Sequence, residues 1–186
     1  MTLENWPVLG EEEVLKTPVF SVRRQVCRSP KDGQDKAFTV LDLPDWVQVL
    51  ALTEDHRALL VRQYRFGTRR ISLELPGGVI EPGQSPLSAA QRELREETGY
   101  TAERWRQVAA FRPNPAIQNN TAYFFLAEGA RLTQPTEFDE NEDLRLTLTP
   151  LDQLKKYVQD GAIDHVIMAA AILSYFQFLP GSEVKK

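Results

Sequence analysis

Three glutamates, Glu93, Glu96 and Glu97, lie close together in a stretch whose pattern is typical of an amphipathic helix. At spacings of three and four residues, their side chains share one face of a helix. Like charges at such positions destabilise an exposed helix by about a few tenths of a kcal/mol per pair, and anions in the last turns oppose the helix dipole. A bound divalent cation would reverse this effect, because carboxylate oxygens are the ligands that Mg²⁺ and Mn²⁺ prefer. The spacing therefore indicates a metal site, with a solvated acidic face as the alternative.

The composition also points to carboxylate chemistry. The chain of 186 residues has 26 Asp and Glu against 22 Lys and Arg, a formal net charge of −4, and it contains one Cys and two His. These counts exclude an internal disulfide, a Cys-based zinc site and a site of three histidines. The acidic balance argues against binding of long nucleic acid and against polybasic docking to a membrane. Asp, Glu and hard cations therefore remain as the main agents of chemistry.

The helix that carries the glutamates has recognisable boundaries. Ser85 is a typical N-cap residue, Pro86 suits the first helical position, and Gly99 is a typical residue just beyond the end. Apolar residues at helical spacing predict the buried face: Leu87, Ala90 and Leu94. The glutamates are expected on the neighbouring face.

The rest of the chain must supply the frame for this helix. Apolar runs and turn residues predict strands at 19–27, 38–43, 46–52, 58–64, 105–111, 123–126 and 144–148. Two further helices are predicted, one that opens at 149–152 and runs to Gly161 and one over 164–178. The simplest α/β architecture is a mixed sheet with helices on its faces. We expect residues 1–45 to form an N-terminal β-rich extension that packs against a partner subunit, and residues 46–186 to form the catalytic domain.

The segment from Gly78 to Tyr100 resembles the Nudix box, in which Gly is followed after five residues by Glu, and after seven more by Arg-Glu-apolar-any-Glu-Glu-any-Gly-apolar. The matching residues are Gly78, Arg92, Glu93, Leu94, Glu96, Glu97, Gly99 and Tyr100. Wider features extend the resemblance over most of the chain beyond about residue 45. It implies a Nudix-type α/β/α sandwich with a mixed β-sheet. It also implies hydrolysis of a nucleoside diphosphate linked to another moiety.

The resemblance assigns a metal site. It implies Glu93 and Glu97 as main metal ligands, Glu96 as a third ligand or a base, and the backbone carbonyl of Gly77 as a further ligand. The expected cofactor is Mg²⁺, with Mn²⁺ as a substitute. Metal ions in such a site neutralise the diphosphate and acidify a bound water while a carboxylate removes a proton.

One position departs from the box. Gln84 stands where the family has its first Glu, which usually pairs with the Arg that is Arg92 here. Gln can make hydrogen bonds but no ion pair, so the link between loop and helix is expected to be weaker. We expect activity to survive, with a catalytically weak nucleotide-sugar binding or sensor domain as the alternative.

Two features outside the box resemble the ADP-ribose and nucleotide-sugar pyrophosphatases. The segments 62–65 and 73–78 look like the corresponding motif of that group, which implies substrate binding by Arg65 and Glu74. Arg65 is expected to contact a phosphate, a role that suits a guanidinium fork, although a surface Arg at a strand end is the alternative. Pro115 lies fifteen residues beyond Tyr100, as in ADP-ribose-type enzymes, although a proline in a Pro-rich loop is weak support alone.

The segment 137–143 contains five carboxylates in seven residues. In the ADP-ribose group, an acidic loop between the box and the C-terminal helices often supplies the catalytic Glu. Glu140 matches that position best and Glu142 next, with a solvated acidic turn as the alternative. Base stacking is poorly specified, because Trp46 and Phe20 suit a core or a dimer contact equally well.

Together these features predict a metal-dependent hydrolase that converts ADP-ribose or a related nucleoside diphosphate sugar into a nucleoside monophosphate and a sugar phosphate. Hydrolysis of nucleoside triphosphates or capped RNA is the enzymatic alternative. We expect a homodimer that binds a small nucleotide-sugar substrate and no long nucleic acid or membrane. A cytoplasmic location is expected, because no signal peptide is apparent and the single Cys suits a reducing compartment.

Overall fold

The computed structural model describes residues 3–138 and 143–178, which form two compact units. The first unit comprises the described residues up to Pro44 together with Arg112–Thr121. The second comprises Asp45–Phe111 and the described residues from Ala122 onward. The strands are β1 (Val8–Lys16), β2 (Ser21–Arg28), β3 (Asp35–Asp42), β4 (Trp46–Leu52), β5 (Arg57–Arg65), β6 (Arg70–Glu74), β7 (Tyr100–Thr101), β8 (Arg104–Phe111), β9 (Ala122–Glu128), β10 (Arg131–Leu132) and β11 (Arg145–Pro150). The helices are α1 (Pro86–Thr98), α2 (Gln153–Gln159) and α3 (Val166–Phe178).

The first unit is built on an antiparallel sheet in the order β1-β2-β3. Every residue of β1 is exposed, and Glu11 and Glu12 of its acidic run form ion pairs with arginines of β2. Arg23 forms an ion pair of 2.5 Å with Glu11 and also pairs with Asp42 of β3. The segment 112–121 joins this unit, where the amide of Leu41 donates to the carbonyl of Ile117 at 2.7 Å. A role of residues 1–45 in dimerisation stays a prediction.

The second unit is an α/β/α sandwich, as predicted. Its mixed sheet has the order β11-β5-β4-β9-β8, with β6 paired to β5 and with β4 and β9 parallel. The side chains of the central strand β4 alternate between two apolar cores. Val47, Val49 and Ala51 pack with residues of α1, whereas Leu50 and Leu52 pack with residues of α2 and α3.

Helix α1 has the boundaries that the sequence predicts. The Ser85 hydroxyl accepts the Ser88 N–H at 3.1 Å, and Gly99 adopts a left-handed conformation while its N–H donates to the Arg95 carbonyl at 2.8 Å. The predicted burial of Leu87 is wrong, since its side chain is 39% exposed. Leu87 lies in the first turn of the helix, and the buried face begins only at Ala89.

All seven predicted strands and both later helices are confirmed, most of them with shifted ends, and four strands were missed: β1, β6, β7 and β10. β1 has no apolar alternation and forms by pairing with β2. β6 combines a buried Glu74 with exposed apolar Ile71, the reverse of an ordinary strand pattern. β7 and β10 are two residues each, so no periodicity marks them.

Helix α3 is the most apolar helix by sequence, but it spans only 13 residues. A membrane-spanning helix needs about 20. In the described ranges 3–138 and 143–178, no helix is long and apolar enough to cross a membrane. The cytoplasmic location stays a prediction.

Candidate active site

Residues 76–79 run beside β4 in the manner of an added antiparallel strand. The Val47 N–H donates to the Gly78 carbonyl at 2.9 Å, and the Val49 N–H donates to the Pro76 carbonyl at 2.8 Å. In this register Gly77 is the residue opposite Gln48 on β4. Because these bonds lie on either side of it, the N–H and carbonyl of Gly77 face away from β4. The Gly77 N–H donates instead to Glu97 Oε2 at 2.9 Å.

Both glycines of this loop are required by close contacts. Gly77 has φ of +157°, and a Cβ at this position would overlap the Val47 carbonyl oxygen. A Cβ at Gly78 would lie 2.5 Å from Glu93 Oε1 and 2.7 Å from the carboxyl carbon. The absence of side chains thus lets the loop lie against β4 on one side and against a carboxylate of α1 on the other.

The three glutamates of α1 share the partners available on their own helix. Glu93 and Glu97 are buried, at 8% and 3% exposure, whereas Glu96 is partly buried. Arg92 lies 2.9 Å from Glu93 Oε1 and 2.9 Å from Glu96 Oε2. Arg95 contacts the other oxygen of Glu96 at 3.0 Å. These arginines offset part of the like-charge repulsion that the sequence predicts for this face.

A divalent cation fits the chemistry of this donor set. Two buried carboxylates, a third that is partly buried and the outward-facing Gly77 carbonyl are the oxygen donors that hard cations take. The contact between Gly78 and the Glu93 carboxylate leaves no room for a side chain there. Between residues 3–138 and 143–178, however, no three acidic, His or Cys side chains converge on one point. Glu93 and Glu96 pair with Arg92, and Glu97 accepts a hydrogen bond from the loop amide.

Arg92 connects the helix to the loop without an ion pair at position 84. Its Nη2 donates to the Val79 carbonyl at 3.0 Å, while the Gln84 side chain accepts the Glu81 N–H at 3.3 Å. Arg92 Nε is buried and has no acceptor among the described residues. Burial lowers the pKa of the Arg92 guanidinium, but the hydrogen bond to Glu96 and the nearby carboxylates outweigh burial, so the pKa is raised.

Arg65 and Glu74 form a second charged group, on the hairpin of β5 and β6. Arg65 donates from Nε and Nη2 to the two oxygens of Glu74, at 2.8 and 2.6 Å, and Glu74 is fully buried. Burial raises the pKa of Glu74, but the hydrogen bonds and charge of Arg65 outweigh it, so the pKa lies below its usual value. This bidentate pair fixes the orientation of the guanidinium.

One cavity of about 890 Å³ in the second unit brings most of the predicted site residues together. They are Arg65, Gly77, Glu93, Glu96 and Glu97. Glu74 lies behind Arg65 and does not line the cavity. Pro115 is exposed in the segment 112–121 of the first unit, so its predicted substrate contact stays a prediction. Glu140 and Glu142 lie outside the described residues.

Comparison with known proteins agrees with this geometry. The family model described as NUDIX domain matches residues 43–169, which is more than half of the chain. The chain belongs to the NUDIX domain family. The Gly77–Gly78 loop and helix α1 lie within the matched residues. The family model and the named relatives together indicate an enzyme of the Nudix hydrolase class.

The chain is similar to named relatives over much of its length. It is 29% identical over 179 residues to "ADP-ribose pyrophosphatase" of Bacillus subtilis, covering 96% of each chain. It is 32% identical over 136 residues to "ADP-sugar pyrophosphatase" of Mus musculus, covering 69% of this chain and 62% of the relative. A solved structure described as an "ADP compounds hydrolase" superposes with a TM-score of 0.86 at 23% identity, covering 97% of both chains. The structural likeness shows the fold.

Sequence reasoning missed several residues that line the Nudix cavity, among them Gln48, Gln63 and His165. Gln48 carried a usable signal, since it is a polar residue inside the apolar strand β4. His165 lies just before α3. Its Nδ1 accepts the Ile167 N–H at 3.3 Å at the start of α3, which fixes the ring at the cavity wall. Gln63, Arg65 and His165 also line a neighbouring cavity of about 660 Å³.

Proposed function

We propose that this Nudix hydrolase cleaves the diphosphate bond of ADP-ribose or a related nucleoside diphosphate sugar, giving a nucleoside monophosphate and a sugar phosphate. The observation that carries the proposal is the cavity in which the α1 carboxylates, the Gly77–Gly78 loop and Arg65 meet. The names of the Bacillus subtilis and Mus musculus relatives support the substrate class.

The residues have distinct roles in this proposal. Glu93, Glu96, Glu97 and the Gly77 carbonyl would hold Mg²⁺, with Mn²⁺ as a substitute. When bound, such a cation neutralises diphosphate charge and acidifies water. We assign Arg65 the role of binding a phosphate, since it lines the cavity and its pair with Glu74 fixes the orientation of its guanidinium.

A proton must leave the attacking water. We assign this role to Glu140, with Glu142 next, in the acidic segment 137–143. Glu96 is the alternative base, since it lines the cavity and is partly exposed. A positioned carboxylate contributes about 10²–10⁴-fold to such a step.

The space around Arg65 suits a substrate with a group on either side of a diphosphate. Cavities of about 890 and 660 Å³ share Arg65, Gln63, Gly67 and His165. A diphosphate at the α1 carboxylates can therefore keep contact with Arg65 while one attached group extends into the second cavity. Tyr64 and Phe66 form an edge-to-face pair there, with ring centroids 5.2 Å apart. Such a surface suits a sugar or a base.

The test is a panel of nucleoside diphosphate sugars, dinucleotides and nucleoside triphosphates, each incubated with Mg²⁺ and analysed by chromatography. We expect ADP-ribose or a nucleoside diphosphate sugar to give a monophosphate and a sugar phosphate, with no product after chelation of the metal. Repeating the reaction in ¹⁸O-water identifies the phosphorus that is attacked. Turnover of triphosphates alone would contradict the proposal.

A second candidate function is nucleotide-sugar sensing with weak catalysis. It is favoured by the buried Arg92 Nε, which has no acceptor in the described part of the chain, and by Gln84 at the usual Glu position. Saturable binding of ADP-ribose without a metal-dependent product would support it. Recovery of turnover in Gln84→Glu would then identify Gln84 as the cause.

We also propose a homodimer formed through the first unit. β1 is exposed throughout and carries apolar side chains, including Val8, Val14 and Leu15, which are at least half exposed. Exposed apolar surface on a sheet of this size is typical of an interaction surface. Light scattering at micromolar concentration tests the proposal, and a monomeric mass would contradict it.

A further inference from the structure

His165 lies where the two cavities of the second unit meet. It is partly exposed, and it lines both the cavity of about 890 Å³ and the neighbouring cavity of about 660 Å³. The described residues that line both cavities are Gln63, Arg65, Gly67 and His165. A ligand that extends from one cavity into the other must therefore pass Arg65 and His165.

The start of α3 holds the imidazole of His165 in one orientation. Its Nδ1 accepts the Ile167 N–H at 3.3 Å, and the His165 carbonyl accepts the Ala169 N–H at 3.0 Å. His165 thus acts as the N-cap residue of the helix. Neutral imidazole has one donor and one acceptor nitrogen, so a ring that accepts at Nδ1 carries its proton at Nε2. Nε2 is therefore a hydrogen-bond donor.

The Nε2 atom has surface that a ligand can reach. Within residues 3–138 and 143–178, the imidazole makes its one hydrogen bond at Nδ1, and Nε2 is not among the buried polar atoms that lack a partner. The cap alone does not require a histidine, because Asn, Asp and Ser are the preferred residues at this position. What histidine adds is a donor at Nε2, further from the backbone, on a residue that lines both cavities.

A donor at this place complements the chemistry of α1. Glu93, Glu96 and Glu97 line the cavity from α1, and carboxylates can approach a diphosphate only through a cation. The oxygens of an ionised diphosphate accept hydrogen bonds and donate none, so the residues on other elements must supply donors. Arg65 of β5 and His165 before α3 are placed to do so. An Nε2–H group that can only donate suits a phosphate oxygen.

We propose that His165 is a substrate-binding residue whose Nε2–H donates a hydrogen bond to a phosphate oxygen of the bound diphosphate, beside Arg65. The two side chains would hold the diphosphate where the cavities meet, with one attached group in each cavity. A neutral donor contributes this bond without placing a second positive charge next to Arg65. This inference rests on the proposed function.

Two substitutions separate the two nitrogens of His165. In His165→Asn, the amide oxygen lies as many bonds from Cα as Nδ1 does, so it can accept the Ile167 N–H, while the Nε2 donor is lost. In His165→Gln, the amide nitrogen lies as many bonds from Cα as Nε2 does, so the donor is kept and the cap is lost. His56→Asn is the matched control, because His56 is the other histidine of the chain and is exposed.

Calorimetry measures binding of three probes: methylene-bridged ADP-ribose with Mg²⁺, methylenediphosphonate with Mg²⁺, and Mn²⁺ alone. We expect His165→Asn to bind both bridged compounds about tenfold more weakly than wild type and to bind Mn²⁺ equally well. Its thermal midpoint should match that of wild type. His165→Gln should bind both bridged compounds more tightly than His165→Asn, while loss of the cap lowers its midpoint by about 2–4 °C.

Three results would overturn the proposal. Equal affinity of wild type and His165→Asn for methylenediphosphonate would exclude the phosphate contact, even if binding of the ADP-ribose analogue is weaker, because the contact would then be with a sugar. Weaker Mn²⁺ binding in His165→Asn would assign His165 to the cation site instead. A midpoint of His165→Asn lower by more than about 4 °C would mean that Nε2 is bonded within the protein.

The measurements separate this proposal from the proposed function, because none of the probes needs to be hydrolysed. Absence of any hydrolysis of ADP-ribose by wild type would contradict the proposed function alone. Equal affinities of wild type and His165→Asn for both bridged compounds would contradict the role of His165 alone. His56→Asn should match wild type in every binding measurement.

Discussion

Two groups of buried acids lie in the second unit, and their charges are balanced differently. Glu74 is fully buried, yet both of its oxygens accept hydrogen bonds from one guanidinium, that of Arg65. This arrangement satisfies a buried carboxylate within the folded protein. The Glu74 pair therefore serves to hold the β5–β6 hairpin and to orient Arg65.

The acids of α1 share partners instead of forming a single closed pair. Three carboxylates face two arginines, and Glu96 contacts both of them. Glu93 shares Arg92 with Glu96, while Glu97 accepts a loop amide. Of the described residues that line the cavity, four are glutamates and two are arginines, a composition that suits a bound cation. In the proposed function, this difference separates an acid that maintains the fold, Glu74, from the acids that would bind the cation.

The largest expected effect comes from Glu97→Gln. Gln retains an oxygen that can accept the Gly77 N–H, so the loop should keep its place, but a strong cation ligand is lost. We expect nearly all turnover to disappear while the thermal midpoint stays close to that of wild type. Turnover and thermal unfolding are measured on the same preparation. Near-wild-type turnover would contradict the assignment of Glu97 as a metal ligand.

Glu140→Gln should have the next largest effect. Loss of the general base is expected to slow turnover by at least about a hundredfold with little change in metal affinity. Glu142→Gln is the matched control, two residues away in the same acidic segment. A larger effect in the control would reverse the assignment, and two small effects would transfer the role of base to Glu96.

Glu74→Gln should reduce stability rather than abolish metal binding. Removing one partner of this buried pair leaves Arg65 with an imperfect acceptor and is expected to cost about 1–3 kcal/mol in the free energy of unfolding. Mn²⁺ affinity should change little, in contrast to Glu97→Gln. Denaturant unfolding and calorimetry measure the two quantities. Equal stability of Glu74→Gln and wild type would contradict the conclusion that the pair of Glu74 with Arg65 stabilises the β5–β6 hairpin.

The same pair predicts a pH dependence. Because Arg65 holds the pKa of Glu74 below its usual value, the pair stabilises the fold above the unfolded pKa of about 4.3. That contribution is lost as the pH falls through the folded pKa. The difference in stability between wild type and Glu74→Gln should therefore narrow below about pH 4. A difference that widens in acid would contradict this explanation.

Gln84→Glu is expected to give the smallest effect, and in the stabilising direction. A carboxylate at position 84 would offer an acceptor to Arg92, whose Nε now has none among residues 3–138 and 143–178. A gain of about 0.5–1.5 kcal/mol in the free energy of unfolding is expected, as for a typical hydrogen bond. Gln107→Glu is the control for added charge. A stability equal to this control would show that Gln84 lies out of reach of Arg92.

Helix α1 was predictable because its information is local. The cap, the first proline, the final glycine and the spacing of the glutamates all lie within a single stretch of sequence. The burial of Leu87 was misjudged, because periodicity does not show where the packed part of a helix begins. The α/β/α sandwich followed from the order of elements and from resemblance to the Nudix box.

The partners of the site residues depended on pairing between distant segments. The ion pair of Arg65 with Glu74 arises only once β6 pairs with β5, and β6 was missed. The contact of Gln48 with Gly77 likewise depends on the register between β4 and the loop, which no local pattern reveals. The residue types thus indicated the chemistry. Which acid forms an ion pair within the folded protein depended on how distant segments pair.

The most direct test of this account is the product analysis of ADP-ribose with wild type, Glu97→Gln and Glu74→Gln, each with Mg²⁺ and after chelation. We expect wild type and folded Glu74→Gln to form a nucleoside monophosphate and a sugar phosphate only with metal. Glu97→Gln should form almost none under either condition. Equal product from Glu97→Gln and wild type, or undiminished product after chelation, would contradict the assignment of the α1 carboxylates to a metal site.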